Sequence, residues 1–128
     1  MLDATETVTA FMAAYNAHAW DGAVAFYAED ATHAEGASPR TRTGRDEIAA
    51  GLRGFGAMLP DAVWAERERI NSGPHVLLRY DLTGTFTPRD GDPRPLRLPG
   101  IFMFTLTEGR ITATVDYWDK DQFLAQIR

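Results

Sequence analysis

Three residues in the second half of the chain, Arg79, Asp81 and Asp116, and two in the first half, His33 and Glu35, are those whose types and spacing best suit acid/base chemistry. Alternation along a strand puts His75, Leu77, Arg79, Asp81 and Thr83 on one face, so Arg79 and Asp81 point the same way and can pair. Asp116 belongs to a later segment of similar period, and the concave side of a curved sheet brings carboxylates from different strands into one pocket. A buried charge persists only when it is paired, so an arginine between two aspartates is physically sensible. Paired titratable groups in an apolar cavity also separate their pKa values, which gives an acid and a base at once. His33 and Glu35, two apart in an extended stretch, face the same mouth in this reading. The plainer readings are a solvated ion pair for Arg79 and Asp81, a strand-end or surface carboxylate for Asp116, and polar loop residues for His33 and Glu35.

The apolar residues around these groups would make the ligand apolar or aromatic. Tyr15, Trp20, Phe55, Met58, Phe102 and Trp118 are the candidate substrate-binding residues, with Trp64 and Phe104 as further core or wall. Tyr15 lies on the apolar face of a helix, where a tyrosine with a satisfied hydroxyl is also an ordinary core residue. His18 and His75 read as structural or exposed. Three scattered histidines do not make a convincing metal site, no glycine-rich phosphate loop follows a strand, and no cofactor is expected.

The elements that must hold these groups follow from periodicity. Asp3 and Glu6 resemble a capping box, and Val8, Phe11, Met12 and Tyr15 then recur with helical spacing. A second short helix starts near Asp21 and gives way to a polar loop from Glu29. Thr43 can cap a third helix carrying Ile48, Leu52, Phe55 and Leu59, in which Gly51, Gly54 and Gly56 each cost about 1 kcal/mol relative to Ala, and Pro60 with Asp61 ends it. From there the period changes to two. Val63 to Ile70, His75 to Phe86, Arg94 to Thr107 and Arg110 to Trp118 read as strands of an antiparallel meander, broken by turn signals, and Asp119 to Arg128 closes as a terminal helix. Helices followed by long strands make an α+β order, with the helices covering one face of the sheet.

Bulk properties narrow the function. The chain has 128 residues, enough for one domain spanning 1–128, with an ordinary 45% hydrophobic and 24% charged residues. Thirteen basic residues are scattered among eighteen acidic ones, for a net charge of −5, which argues against nucleic-acid binding. The absence of cysteine excludes disulfides and thiol catalysis. The start Met1-Leu2-Asp3 lacks a basic and an apolar region, and no apolar run approaches a membrane span, so the expectation is a cytoplasmic protein with no membrane partner.

Three segments, in order, carry a resemblance: Asn16 to Gly22 leading to Phe26 through Thr32, then Gly44-Arg45-Asp46-Glu47-Ile48, then Leu98 to Phe102 through Glu108 to Ile111 and on to Asp116-Tyr117-Trp118-Asp119. Over nearly the whole chain this resembles the superfamily of SnoaL-like polyketide cyclases, ketosteroid isomerases and limonene-epoxide hydrolases, with the cone-shaped fold of nuclear transport factor two. The resemblance implies a half-barrel in which a curved antiparallel sheet wraps around N-terminal helices over a deep apolar cavity, and a homodimer packed through the strands around Arg94 to Thr107. It places Glu35 where the steroid isomerases keep a proton-shuttling aspartate. It also places Phe11 where they have an oxyanion-hole tyrosine, and Ile101 and Phe102 on the strand that should carry a protonated aspartic acid, which disfavours steroid isomerisation. Arg79-Tyr80-Asp81 and Asp116 resemble the epoxide hydrolases' arginine and two aspartates, while that family's water-holding tyrosine and asparagine correspond to His33 and Glu35. The implied function is a cofactor-independent acid/base enzyme acting on a small apolar molecule by cyclisation, isomerisation or hydrolysis. Epoxide opening and non-catalytic small-molecule binding or dimerisation are the alternatives.

Overall fold

The structure, a computed structural model, describes residues 1–38 and 40–128. Helix α1 (Ala4–Asn16) starts at the expected capping box, with Asp3 accepting from the Glu6 N–H and Glu6 answering to the Asp3 N–H. Its buried stripe is Val8, Phe11, Met12 and Tyr15. Asn16, at its end, pins it to the sheet by accepting from the Trp64 N–H at 2.8 Å and donating to the Trp64 carbonyl at 3.0 Å. The short helix α2 (Trp20–Val24) follows, and then, where a polar loop is expected, strand β1 (Tyr27–Glu35) and the brief β2 (Thr41–Thr43). The loop reading fails because Glu29 and Asp30 are the exposed positions of a strand whose Tyr27, Ala31 and His33 are buried.

Helix α3 (Arg45–Met58) is capped by Gly44, at φ 86°, and Thr43 makes no cap. Two of its glycines have packing reasons. A Cβ at Gly51 would collide with the Arg42 side chain, and one at Gly56 with the Trp20 indole. The helix therefore trades intrinsic propensity for the close approach of two large side chains.

Strands β3 (Val63–Ser72), β4 (His75–Phe86), β5 (Arg94–Thr107) and β6 (Arg110–Trp118) form the antiparallel meander, and α4 (Lys120–Ile127) follows with Asp119 capping its first turn. The sheet order is β2-β1-β6-β5-β4-β3, so its two edges, β2 and β3, do not meet. It is mixed, because β1 runs parallel to β6. That parallel pairing corrects the all-antiparallel expectation, and it matters to function: it aligns His33 with Thr114 and Glu35 with Asp116. The core lies between the helices and the sheet's inner face, where Phe11, Tyr27, Leu78, Phe102 and Phe104 are fully buried. No helix among the described residues is long and apolar enough to cross a membrane.

Candidate functional site

Alternation decides which residues meet. On β4 the buried positions are Val76, Leu78, Tyr80 and Leu82, and on β5 they are Leu96, Leu98, Phe102 and Phe104. Arg79 and Asp81 therefore lie on the outer face, one residue out of phase with the core. Arg79 is half exposed and lies 3.5 Å from Glu68, and Asp81 receives a 2.8 Å hydrogen bond from Arg67 with Arg97 at 3.7 Å. The Arg67 contact holds the Asp81 carboxyl below its usual pKa range. The expected cluster of Arg79, Asp81 and Asp116 is not formed. The four side chains on the buried face of β4, Val76, Leu78, Tyr80 and Leu82, outweigh an ion pair that water solvates well.

On the inner face a cavity of about 420 Å³ opens between α3 and the sheet, within the size range of small-molecule sites. Four of the six expected wall residues line it: Tyr15, Phe55, Met58 and Trp118. Trp20 instead stacks on His18 and packs edge-on against Tyr15, and Phe102 is fully buried behind Tyr15 and Tyr80. Phe11 is a core ring against Tyr15, Tyr27 and Phe104.

The cavity's polar groups come from β1, β4 and β6. Asp116 is buried and accepts a 2.6 Å hydrogen bond from the Tyr80 hydroxyl. Tyr80 reaches it across Gly100, its partner on β5, and a Cβ there would strike the Tyr80 hydroxyl. Burial, reinforced by the charge of Glu35, pushes the Asp116 carboxyl well above the usual range, against a smaller lowering by Tyr80. Burial therefore favours the neutral, protonated form of Asp116, and it likewise favours the protonated forms of Tyr15, Tyr27 and Tyr80.

Glu35 is arranged in the opposite sense. It is half exposed, accepts from the Trp118 indole N–H at 2.7 Å, and faces His33 Nε2 at 3.6 Å. Burial alone would raise its pKa, but the contacts with His33 and Trp118 and the charge of Arg42 bring it below its ordinary value. His33 is buried on β1, where the loop reading put it at the mouth, and its Nδ1 lies 2.9 Å from the Tyr27 hydroxyl, which donates to Thr114 at 2.8 Å. One cavity thus holds two carboxyls whose surroundings push their pKa values in opposite directions, on adjacent strands spaced about 4.8 Å. Among the described residues no three His, Asp or Glu side chains converge as a metal-ligand set.

Reasoning from sequence missed Tyr80, Leu82 and Arg42, whereas Trp64, expected as core or wall, lines the cavity. The signal for the first two was present: Val76, Leu78, Tyr80 and Leu82 are the apolar phase of β4, and that phase points inward. Tyr27 and Thr114 carried no such signal, since only the fold brings them to His33.

Residues 8–114 match the SnoaL-like domain family. Among solved structures, a protein of ketosteroid isomerase-like fold from Catenulispora acidiphila, in complex with trimethylamine, shares 26% identity over 97% of this chain and 93% of its own, with a TM-score of 0.85. A protein from Xanthomonas campestris assigned as a polyketide cyclase shares 27% identity over 98% and 96%, with a TM-score of 0.84. TerC, crystallised with polyporic acid, is 21% identical over 96% of both chains, with a TM-score of 0.80, a likeness of fold alone. No curated protein matches the chain.

Proposed function

The chain belongs to the SnoaL-like domain family, and from that premise we propose that it is a cofactor-independent acid/base catalyst acting on a small, largely apolar carbonyl compound. One observation carries this reading: Glu35 and Asp116 are register partners on β1 and β6, share one cavity, and are pushed in opposite directions in pKa. Titratable groups whose surroundings drive them apart are how a site runs acid and base chemistry at one pH.

In this mechanism the Glu35 carboxylate removes a proton from the carbon next to the substrate carbonyl. Asp116 donates its own proton as a hydrogen bond to the oxygen on which negative charge develops. Its Oδ1 is already occupied by the Tyr80 hydroxyl, which leaves Oδ2–H for the substrate. Glu35 then returns the proton to the same carbon or to another, or the enolate carbon attacks within the molecule, which gives isomerisation or cyclisation. The missing steroid-isomerase donors no longer exclude this chemistry. Phe102, on the strand where the resemblance expects a protonated aspartic acid, is the register partner of Asp116, so the acid comes from the neighbouring strand. Epoxide opening loses support, because Arg79 and Asp81 lie on the other face. The neighbours' complexes with trimethylamine and polyporic acid support a ligand-holding cavity. Exposed Ile101 and Tyr117 on the outer face of β5 and β6 support packing of a second copy there, which sedimentation velocity reads directly.

The test needs no natural substrate. The probe 2-tetralone is small, apolar and enolisable, and its exchange of C1 hydrogen for deuterium is followed by proton NMR in D2O. The protein should accelerate this exchange and Glu35→Gln should abolish the acceleration. No acceleration by the parent protein, or an acceleration that Glu35→Gln retains, would assign the cavity to binding without catalysis.

A further inference from the structure

Of the two arginines that line the cavity and that the acid/base chemistry leaves unused, Arg40 is exposed at the rim and Arg42 is the partly buried one. It stands opposite His33 in the β1–β2 pairing, and directly opposed residues of a strand pair project to the same side, so its side chain turns inward. It is half-buried, lines the cavity, and lies against α3 at the position where Gly51 has no side chain. Among the described residues its guanidinium has no hydrogen-bond or ion-pair partner. Arg45, Arg53, Arg67, Arg69, Arg79, Arg97 and Arg110 by contrast all have acceptors in the protein. Glu35 does not take that place, because its oxygens are engaged by Trp118 and His33.

The charges around the mouth agree. The cavity mouth carries two arginines, Arg40 and Arg42, against one partly exposed carboxylate, Glu35, while Asp116 is buried deeper, so the mouth is richer in cations than a chain of net charge −5 would suggest. A guanidinium held partly out of water with its fork of donors free matches a carboxylate better than any other common organic group. The apolar wall beside it, Phe55, Trp64, Leu82 and Trp118, suits a flat hydrocarbon body.

We infer that the substrate is an aromatic or alicyclic carboxylic acid, whose carboxylate sits on Arg42 near the Arg40 rim and whose ring lies inward toward Glu35 and Asp116. This rests on the acid/base reading for the reacting end of the molecule but not for the anchoring end.

The experiment compares 2-naphthoate with 2-naphthamide, which share a ring and differ in charge, by isothermal titration calorimetry at neutral pH. The parent should bind the acid about tenfold more tightly than the amide, the scale of one charge-assisted hydrogen-bonded contact. Arg42→Gln should erase that preference and leave amide binding within about twofold. Gly51→Ala, which raises the intrinsic propensity of α3 and so keeps the fold, should also lower the preference by displacing the guanidinium. Equal binding of acid and amide by the parent, binding of neither, or a preference that survives Arg42→Gln would overturn the inference. If the acid/base reading alone is wrong, the acid preference stands while 2-tetralone exchange is not accelerated. If the anion seat alone is wrong, exchange is accelerated and the preference is absent.

Discussion

The two faces of β4 and β6 carry similar residues and do opposite things. Outward, Asp81 on β4 is held by Arg67 and Arg97, and its carboxyl is more acidic than usual. Inward, Asp116 on β6 has a tyrosine and no cation as its partner, and its carboxyl is far less acidic than usual. The outer aspartate is a solvated ion pair, and the inner one is the proton donor of the proposed mechanism. What separates them is a single step along a strand, which moves a side chain from water to the core. Burial and the partner at hand set the acidity of each carboxyl: opposite charges meet on the outer face, and the carboxyl held by a tyrosine lies on the inner.

Substitutions on the two faces should therefore diverge. The largest effect is expected at Glu35: replacing it with Gln should slow 2-tetralone exchange by about a hundredfold or more, the scale for losing a general base, whereas Asp81→Asn should leave the rate unchanged. Next comes Gly100→Ala. Its methyl group would occupy the place of the Tyr80 hydroxyl, so Tyr80 must swing off Asp116, with a stability loss of about 1–3 kcal/mol in denaturant melts and a slower exchange.

Asp116→Asn sharpens the comparison by changing the sign. The folded-state pKa of Asp116 is raised above its unfolded value, so the native protein holds a proton that the unfolded chain releases, and stability falls as pH rises from the unfolded pKa toward the folded one. An asparagine keeps the Tyr80 hydrogen bond and removes that penalty. Relative to the parent, the variant should gain stability between pH 4 and neutrality, read from melts at the two pH values. Glu35 acts in the other direction: its lowered pKa contributes stability above its unfolded value, lost as pH falls through the folded one. The smallest effect belongs to Arg79→Ala. Its partner Glu68 is exposed, and the melt should stay within about 0.5 kcal/mol of the parent at both pH values.

Much of the fold was legible in the sequence. The capping box at Asp3, the switch of period after Pro60, and the turn signals that bound β4, β5 and β6 are local facts, and they fixed those strands' ends. β1 was hidden because its exposed positions, Glu29 and Asp30, look like a loop, and its pairing with β6 is a contact between distant segments. The site was half legible. Glu35, Asp116 and His33 were chosen for their chemistry, and the structure gathers them. Arg79 and Asp81 have the same chemistry but belong to the outer face, because the apolar phase of Val76, Leu78, Tyr80 and Leu82 decides which side of β4 meets the core. Arg42 could not be found at all from local pattern, since β2 is only three residues long and its partner Gly51 looked like a defect in a helix.

The proposed mechanism requires Glu35 and Asp116 to hold opposite protonation states in one cavity. Carbon-13 NMR of the side-chain carboxyls, followed against pH and assigned by Glu35→Gln and Asp116→Asn, measures this without any ligand. The Glu35 carboxyl should ionise below the ordinary glutamate range, while the Asp116 carboxyl should remain protonated at neutral pH. An Asp116 carboxyl that ionises alongside the exposed aspartates would contradict it.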